Sequence, residues 1–374
     1  MDNLPKNVAL VYDWVDKWGG AEQVLLALHE IFPAAPLYTL VYQPEKALWA
    51  KVFPHVFTSF VQKIPFTQFR HERFPALALF PLACETLDLT AFDCVISLTS
   101  AFVKGVITKP GTLHICYCLT PPRYLYSHRE EYQQQIPGVL QPLAAVGLNY
   151  LTAWDQIASR RPDTYLAISR CVKDRIKKYY NMDSQVIYPP VDTCKFSLSL
   201  AVDNYFLWVG RLVSYKHPEK VVQVFNGLKL PLKVAGTGQL EDKLRSLAKP
   251  NVQILGKISS SQLIELMQNC RALIFFHEED FGIVPLEVQA AGRPVIALNR
   301  GGAAETVIPG ITGELLDDDS PSGLRKAIIE FDEVKYNPEI IRRHARRFNR
   351  RNFLSVFAKV IAAQWTRYQN TFLS

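Results

Sequence analysis

The amino-acid sequence predicts an α/β protein made of two doubly wound parallel sheets in tandem. Three observations predict it. Short apolar runs bounded by turn residues alternate with amphipathic stretches along the 374 residues, the pattern of strands joined by crossover helices that cover both faces of a sheet. The rhythm breaks at consecutive prolines, Tyr188-Pro-Pro-Val-Asp192, and then starts again. A chain of this length that is 48% hydrophobic holds enough apolar material for two cores.

The elements follow in order. An apolar strand over 8–12 leads into polar, glycine-bearing residues and a helical pattern over 21–31. Further strands are expected over 36–42, 94–98, 114–118 and 164–168. The second half repeats the pattern, with strands over 205–209, 232–235, 252–255, 272–276 and 294–298. Helices are expected there over 218–228, 240–248, 261–270, 286–291 and 322–330. Pro218 suits a first helical turn, and Ser259 to Ser261 supply N-caps. The stiff proline pair is read as a linker. It divides the chain into an N-terminal domain over 1–192 and a C-terminal domain over 193–352; a last helix over 353–374 is expected to pack back on the N-terminal domain. Open α/β sheets bind ligands at the carboxyl ends of their strands, so a central cleft faced by both domains is the expected site.

Bulk properties narrow the function. A net charge of +7 suits an anionic ligand or an anionic membrane surface; no nucleic-acid partner is expected. Seven cysteines form no regular framework, and Cys116-Tyr-Cys118 has one intervening residue rather than the two to four of zinc sites. Buried, reduced thiols and a cytoplasmic setting are expected. The first residues have no signal-peptide pattern, and no apolar run approaches the length of a membrane span. The arginine pairs at 342–343, 346–347 and 350–351 recur at helical spacing. They read either as a solvated helix face or as a contact with acidic lipid headgroups. Residues 60–82, with Lys63, Arg70, His71 and Arg73, read either as a membrane-surface segment admitting a lipid-linked acceptor or as a core-packing helix pair.

Four constellations carry chemistry. Glu279-Asp-Phe-Gly-Ile-Val-Pro-Leu-Glu287 places two carboxylates on either side of a strand–loop–helix junction. Backbone N–H groups around Gly282, Ile283 and Val284, together with the helix dipole, would favour a phosphate there. Arg211 and Lys216 follow the strand that ends at Gly210, and two cations beside a helix N-terminus can neutralise a diphosphate. Gly236-Thr-Gly238 follows another strand and permits close backbone approach. Trp18-Gly19-Gly20-Ala-Glu22 feeds a helix N-terminus after the first strand. Asp317-Asp-Asp319 contains an Asp-x-Asp pattern, but a solvated loop and helix cap account for it, and no metal is expected.

Taken together, these segments resemble the retaining nucleotide-sugar glycosyltransferases of family 4, which have the two-domain GT-B architecture of Rossmann-like halves. The Glu279–Glu287 segment matches the family's E-x7-E motif. Gly210-Arg-Leu with Lys216, Gly301-Gly-Ala-Ala-Glu-Thr-Val307 and Gly310-Ile-Thr-Gly313 match its other C-domain segments. Tyr12-Asp-Trp14, Gly19-Gly-Ala-Glu22, Ile168-Ser-Arg170 and the Tyr188–Asp192 stretch match its N-domain pattern. The resemblance spans the whole chain and leans toward bacterial mannosyltransferases of polysaccharide assembly. It implies transfer of a hexose, mannose from GDP-mannose, to a glycan or lipid-linked glycan, with no cofactor or metal. Arg211, Lys216 and Glu279 would be catalytic: the cations would stabilise the departing diphosphate, and Glu279 would contact the sugar. Glu287 would hold the ribose. Gly19, Gly20, Gly210, Gly236, Phe281, Gly282, Ile283 and Val284 would shape the donor site. Asp13, Tyr117, Thr120 and Arg123 would serve the acceptor side. Relatives often carry a His in the segment Tyr117-Cys-x-Thr-Pro; here the position is Leu119, so the resemblance implies no histidine contact with the donor sugar. In the family the donor phosphate is thought to accept the acceptor's proton, so the resemblance implies the reaction without that histidine. The rival readings are a GT-B sugar-nucleotide epimerase, whose products need no acceptor, and a degenerate sugar-nucleotide-binding protein.

Overall fold

The apolar runs become parallel strands, and the amphipathic stretches between them become the helices that cover the sheets. The structure, a computed structural model, describes residues 3–64, 76–134, 136–199 and 202–372. It divides into two compact units, Met1–Pro189 with Phe353–Ser374, and Pro190–Asn352. Arg70, His71 and Arg73, cited above for a membrane-surface segment, lie outside the described residues.

Among the described residues of the first unit, strands β1 (Val8–Val15), β2 (Leu37–Tyr42), β3 (Val56–Thr58), β4 (Cys94–Thr99), β5 (Leu113–Cys118), β6 (Thr164–Ala167) and β7 (Ser184–Val186) form one sheet. Its order is β3-β2-β1-β4-β5-β6-β7, parallel throughout. The centre strands β1, β4 and β5 are buried almost from end to end, as expected for strands covered on both faces. β3 and β7 were not expected; each is only three residues long, at a sheet edge and nowhere fully buried, too short to show a strand pattern. The C-terminal helix Arg350–Phe372 sets Phe353 and Phe357 against Tyr117 of β5, with ring centroids at 6.2 and 5.7 Å.

The second unit contains β8 (Phe206–Val209), β9 (Leu232–Ala235), β10 (Val252–Gly256), β11 (Leu273–Phe275), β12 (Val295–Leu298) and β13 (Gly313–Leu316), in the order β10-β9-β8-β11-β12-β13. Helix Pro218–Leu228 opens with proline in its first turn. Ser259 makes a reciprocal capping box with Gln262 at the start of helix Ser260–Asn269. In each unit the strand order reverses direction once, beside β1 and β4 in the first and beside β8 and β11 in the second. Such switch points open a crevice at the strands' carboxyl ends.

The thiols are mostly as expected: Cys84, Cys94, Cys116, Cys118 and Cys270 are buried and free. Cys194 is exposed, a correction; it lies on a short turn just after the proline stretch. Among the described residues no helix is long and apolar enough to cross a membrane.

Candidate functional site

The switch point of the second unit gathers the predicted cations and the first glutamate. β8 delivers Gly210 and the loop that carries Arg211 and Lys216; β11 delivers His277 and Glu279. Lys216 is buried, and its Nζ makes an ion pair with Glu279 Oε1. Fully buried His277 brings Nε2 to 3.3 Å from the same oxygen. Because a carboxylate only accepts, the imidazole donates from Nε2 and leaves Nδ1 as an acceptor; Nδ1 has no hydrogen-bond partner among the described residues. Burial keeps His277 below the ordinary imidazole range, so it is a neutral donor. Burial alone would push the Glu279 carboxyl up, but the His277 hydrogen bond and the Lys216 charge outweigh it and hold the group at about 2. Glu279 is therefore ionised, with Oε1 occupied by two donors. Arg211 is exposed and donates from Nη2 to Tyr215 Oη at 2.8 Å.

The loop after Glu279 turns into helix Ile283–Ala290. Its N-cap is Gly282 at φ 81°, the left-handed region that favours glycine. Ile283 and Val284 present first-turn N–H groups that no helical carbonyl can accept, and Pro285 has none to present. Phe281 is buried, its ring 6.0 Å from that of Phe348. Glu287 follows one turn in. Burial pushes its carboxyl up to about 7, Lys195 opposing and Asp192 adding to the rise.

Gly236 serves differently from the expectation. At φ 136°, a Cβ there would lie 1.8 Å from the Gly210 carbonyl oxygen. The close approach is between the β9 loop and the backbone that carries Arg211 and Lys216. The Gly236 N–H itself is taken by the Gly256 carbonyl at 3.0 Å. The Asp317–Asp319 carboxylates have separate partners: Asn299 Nδ2 at 2.8 Å from Asp317, the Ser320 N–H at 2.9 Å from Asp318, and Arg300 at 2.7 Å from Asp319.

In the first unit two expectations need correction. Asp13 is fully buried, and its carboxylate accepts from the N–H groups of Ser100, Ala101, Phe102 and Val103 at 2.8 to 3.0 Å, and from Thr99 Oγ1. It anchors the turn after β4 and has no capacity left for an acceptor. Tyr117 is fully buried and donates to the Ile187 carbonyl at 2.7 Å, so it too is a core residue. Thr120 Oγ1 accepts from Arg175 at 3.3 Å. Arg123 is half-buried, its carbonyl accepting from the N–H groups of Tyr126 and His128. Gly19 is the extended N-cap of helix Gly20–Ile31. Glu22 in the first turn is buried and accepts from Tyr12 Oη at 2.8 Å.

Sequence reasoning missed His277. A lone histidine at a strand end looks like a core residue, and only its contact with Glu279 distinguishes it.

Two doubly wound units with these strand orders define the GT-B fold. The fold is similar to that of HepE from Anabaena in complex with UDP and glucose: 18% identity over 96% of this chain and 100% of that one, with a TM-score of 0.66. Residues 195–348 match the family described as glycosyl transferases group 1. An uncharacterized glycosyltransferase of Methanocaldococcus jannaschii, MJ1178, is 27% identical over 178 residues, 46% of this chain and 50% of that protein. The alpha-1,3/1,6-mannosyltransferase ALG2 of Dictyostelium discoideum is 37% identical over 129 residues, 32% of this chain and 31% of that protein. The chain thus spans half or less of the length of these two relatives.

Proposed function

We propose that the protein is a retaining, metal-independent glycosyltransferase that moves a hexose from a nucleoside-diphosphate sugar to a glycan or lipid-linked glycan acceptor. One observation carries the reading: an ionised glutamate paired with a buried lysine at the strand-order switch, ahead of a helix N-terminus. That arrangement suits a sugar diphosphate. Lys216 and Arg211 meet charge growing on the leaving diphosphate, the Ile283 and Val284 amides face its phosphate, Glu279 meets the sugar and Glu287 the ribose. The cations and helix end supply the countercharge that a metal supplies elsewhere. Mannose from GDP-mannose is the proposed donor, on the resemblance to mannosyltransferases such as ALG2. We place the enzyme in the cytoplasm, with the exposed Arg343, Arg346, Arg347 and Arg351 as its contact with an anionic membrane face.

The test is calorimetry with GDP, UDP and their sugar conjugates, followed by NMR of the transferred sugar's anomeric configuration. Binding of GDP-mannose and a product with the donor's anomeric configuration support the proposal. An inverted product overturns retention, and selective binding of a uridine donor overturns the choice of sugar nucleotide.

A further inference from the structure

Helix Gln141–Ala158 of the first unit is apolar on two opposite faces. Ala144, Leu148, Leu151 and Ala158 are buried on one of them, and Leu148 and Leu151 belong to the hydrophobic core. That face accounts for the fold. On the other side Leu143, Val146, Tyr150 and Ile157 are 63, 66, 49 and 64% exposed, and Val139 in the turn leading into the helix is 93% exposed. Within the helix, with exposed Ala153 included, the spacing along 143, 146, 150, 153 and 157 alternates three and four. This is the a/d seam of a helix that packs along another helix.

The seam's chemistry indicates its occupant. A helix lying on a lipid surface presents a wider apolar face flanked by lysine and arginine. Gln141–Ala158 contains no basic residue, and its only charge, Asp155, is buried in an ion pair with Lys104. The polar residues that share the exposed side, Gln141, Asn149 and Gln156, are uncharged, and the one cation that reaches them among the described contacts, Arg129, donates to Asn149 Oδ1 at 2.6 Å. The apolar seam is complementary to itself, because it carries no charge of its own and like copies meet along it without repulsion, Arg129 lying to one side at Asn149. Its exposed side chains amount to roughly 600 Å² per copy, at the top of the range for a monomer's largest apolar patch. Paired with itself it would bury at most about 1,200 Å², within reach of a specific interface.

We infer that this seam is a homodimer interface in which helix Gln141–Ala158 packs against the same helix of a second copy about a two-fold axis.

Sedimentation velocity on the full chain over roughly 1–100 µM tests it, since a dimer obeys mass action. The wild type should show a concentration-dependent doubling of mass. The double substitution Leu143→Glu with Val146→Glu should raise the dissociation constant by at least about 100-fold through buried like charges, with unchanged circular dichroism and melting because both positions are exposed. If the double variant misfolds, Ile157→Gln alone, a milder polar change at the same seam, should still weaken the dimer measurably. A wild type that stays monomeric throughout overturns the inference, as does a folded double variant that dimerises normally. The same variants are then spun with neutral and anionic phospholipid vesicles. A monomeric wild type that binds vesicles through this seam, with binding lost in the double variant, would assign the surface to lipid and also overturn the inference.

Discussion

Replacing Glu287 with glutamine should stabilise the fold at about pH 8 and scarcely change it at about pH 4.5. Burial raises the carboxyl's folded-state pKa from an ordinary 4.5 to about 7, against the opposing charge of Lys195 and with the help of Asp192. A raised pKa means that the folded protein keeps a proton the unfolded chain releases. The stabilising contribution is fully present below about 4.5 and is lost as pH rises through about 7. The shift corresponds to about 3 kcal/mol at most, and partial exposure of the side chain reduces that to about 2 kcal/mol. Glutamine keeps the shape and removes the ionisation. Thermal unfolding of wild type and Glu287→Gln at the two pH values should show a gain of several degrees at the higher pH. Any effect of packing or of an unpaired amide is common to both pH values, so the difference between them isolates the charge. The same variant should bind nucleoside diphosphate more weakly, because in the proposed site the carboxylate accepts from ribose hydroxyls and an amide oxygen would do so less strongly. A stability change equal at both pH values, or a loss at the higher one, would refute the account of Glu287 as a buried carboxylate.

The other predictions concern the rest of the site. Arg211→Ala and Lys216→Ala should each lower turnover at saturating donor by roughly 10²–10³, and near-normal turnover in either folded variant would remove its role. Glu279→Ala should spare nucleoside-diphosphate affinity but impair donor use, whereas Glu287→Ala should weaken both by roughly ten- to hundredfold; calorimetry that finds equal nucleotide losses would collapse the assignment of sugar to one and ribose to the other. Activity should survive EDTA, and complete loss restored by Mg²⁺ or Mn²⁺ would mean that a metal takes part. Gly236→Ala should cost at least about 3 kcal/mol of stability in thermal unfolding, because its Cβ meets the Gly210 carbonyl oxygen at 1.8 Å; a variant as stable as wild type would contradict the loop contact.

The central strands and the loops that carry Arg211, Lys216 and Glu279 were readable because their signals are local. β9 runs over the expected residues, and helix Pro218–Leu228 begins and ends where its proline and periodicity put it. The loop that carries Arg211 and Lys216 follows its strand directly, so strand order alone brings it beside Glu279. Other features depend on contacts distant in sequence. Asp13 looks like a strand-end carboxylate open to a ligand, but the amides that consume it lie near residue 100. Tyr117 sits in a segment that resembles a binding motif, yet its hydroxyl partner, Ile187, is 70 residues further along. Helix Ile283–Ala290 starts three residues before its expected beginning. A glycine in left-handed geometry supplies that start, where periodicity alone gives no warning.

The geometry also explains why the site can be set before any ligand arrives. The Gly302 N–H donates to the Glu279 carbonyl at 2.8 Å, and a Cβ on Gly302 would fall 2.1 Å from the Phe281 carbonyl oxygen. The β12 loop therefore lies directly on the Glu279–Phe281 backbone, as the β9 loop lies on Gly210. Each contact is backbone to backbone, with no side chain to change rotamer. Within this frame, Oε1 of Glu279 is held by Lys216 and His277, which leaves Oε2 without any of the described partners. A carboxylate fixed at one oxygen meets a ligand at the other with little reorganisation, and stabilising charge that is already oriented is what gives electrostatic catalysis its magnitude. On this reasoning Lys216 has two effects. It provides positive charge, and through Glu279 it fixes where the oxygen proposed to meet the sugar sits, so substitutions at the two positions should be non-additive when combined.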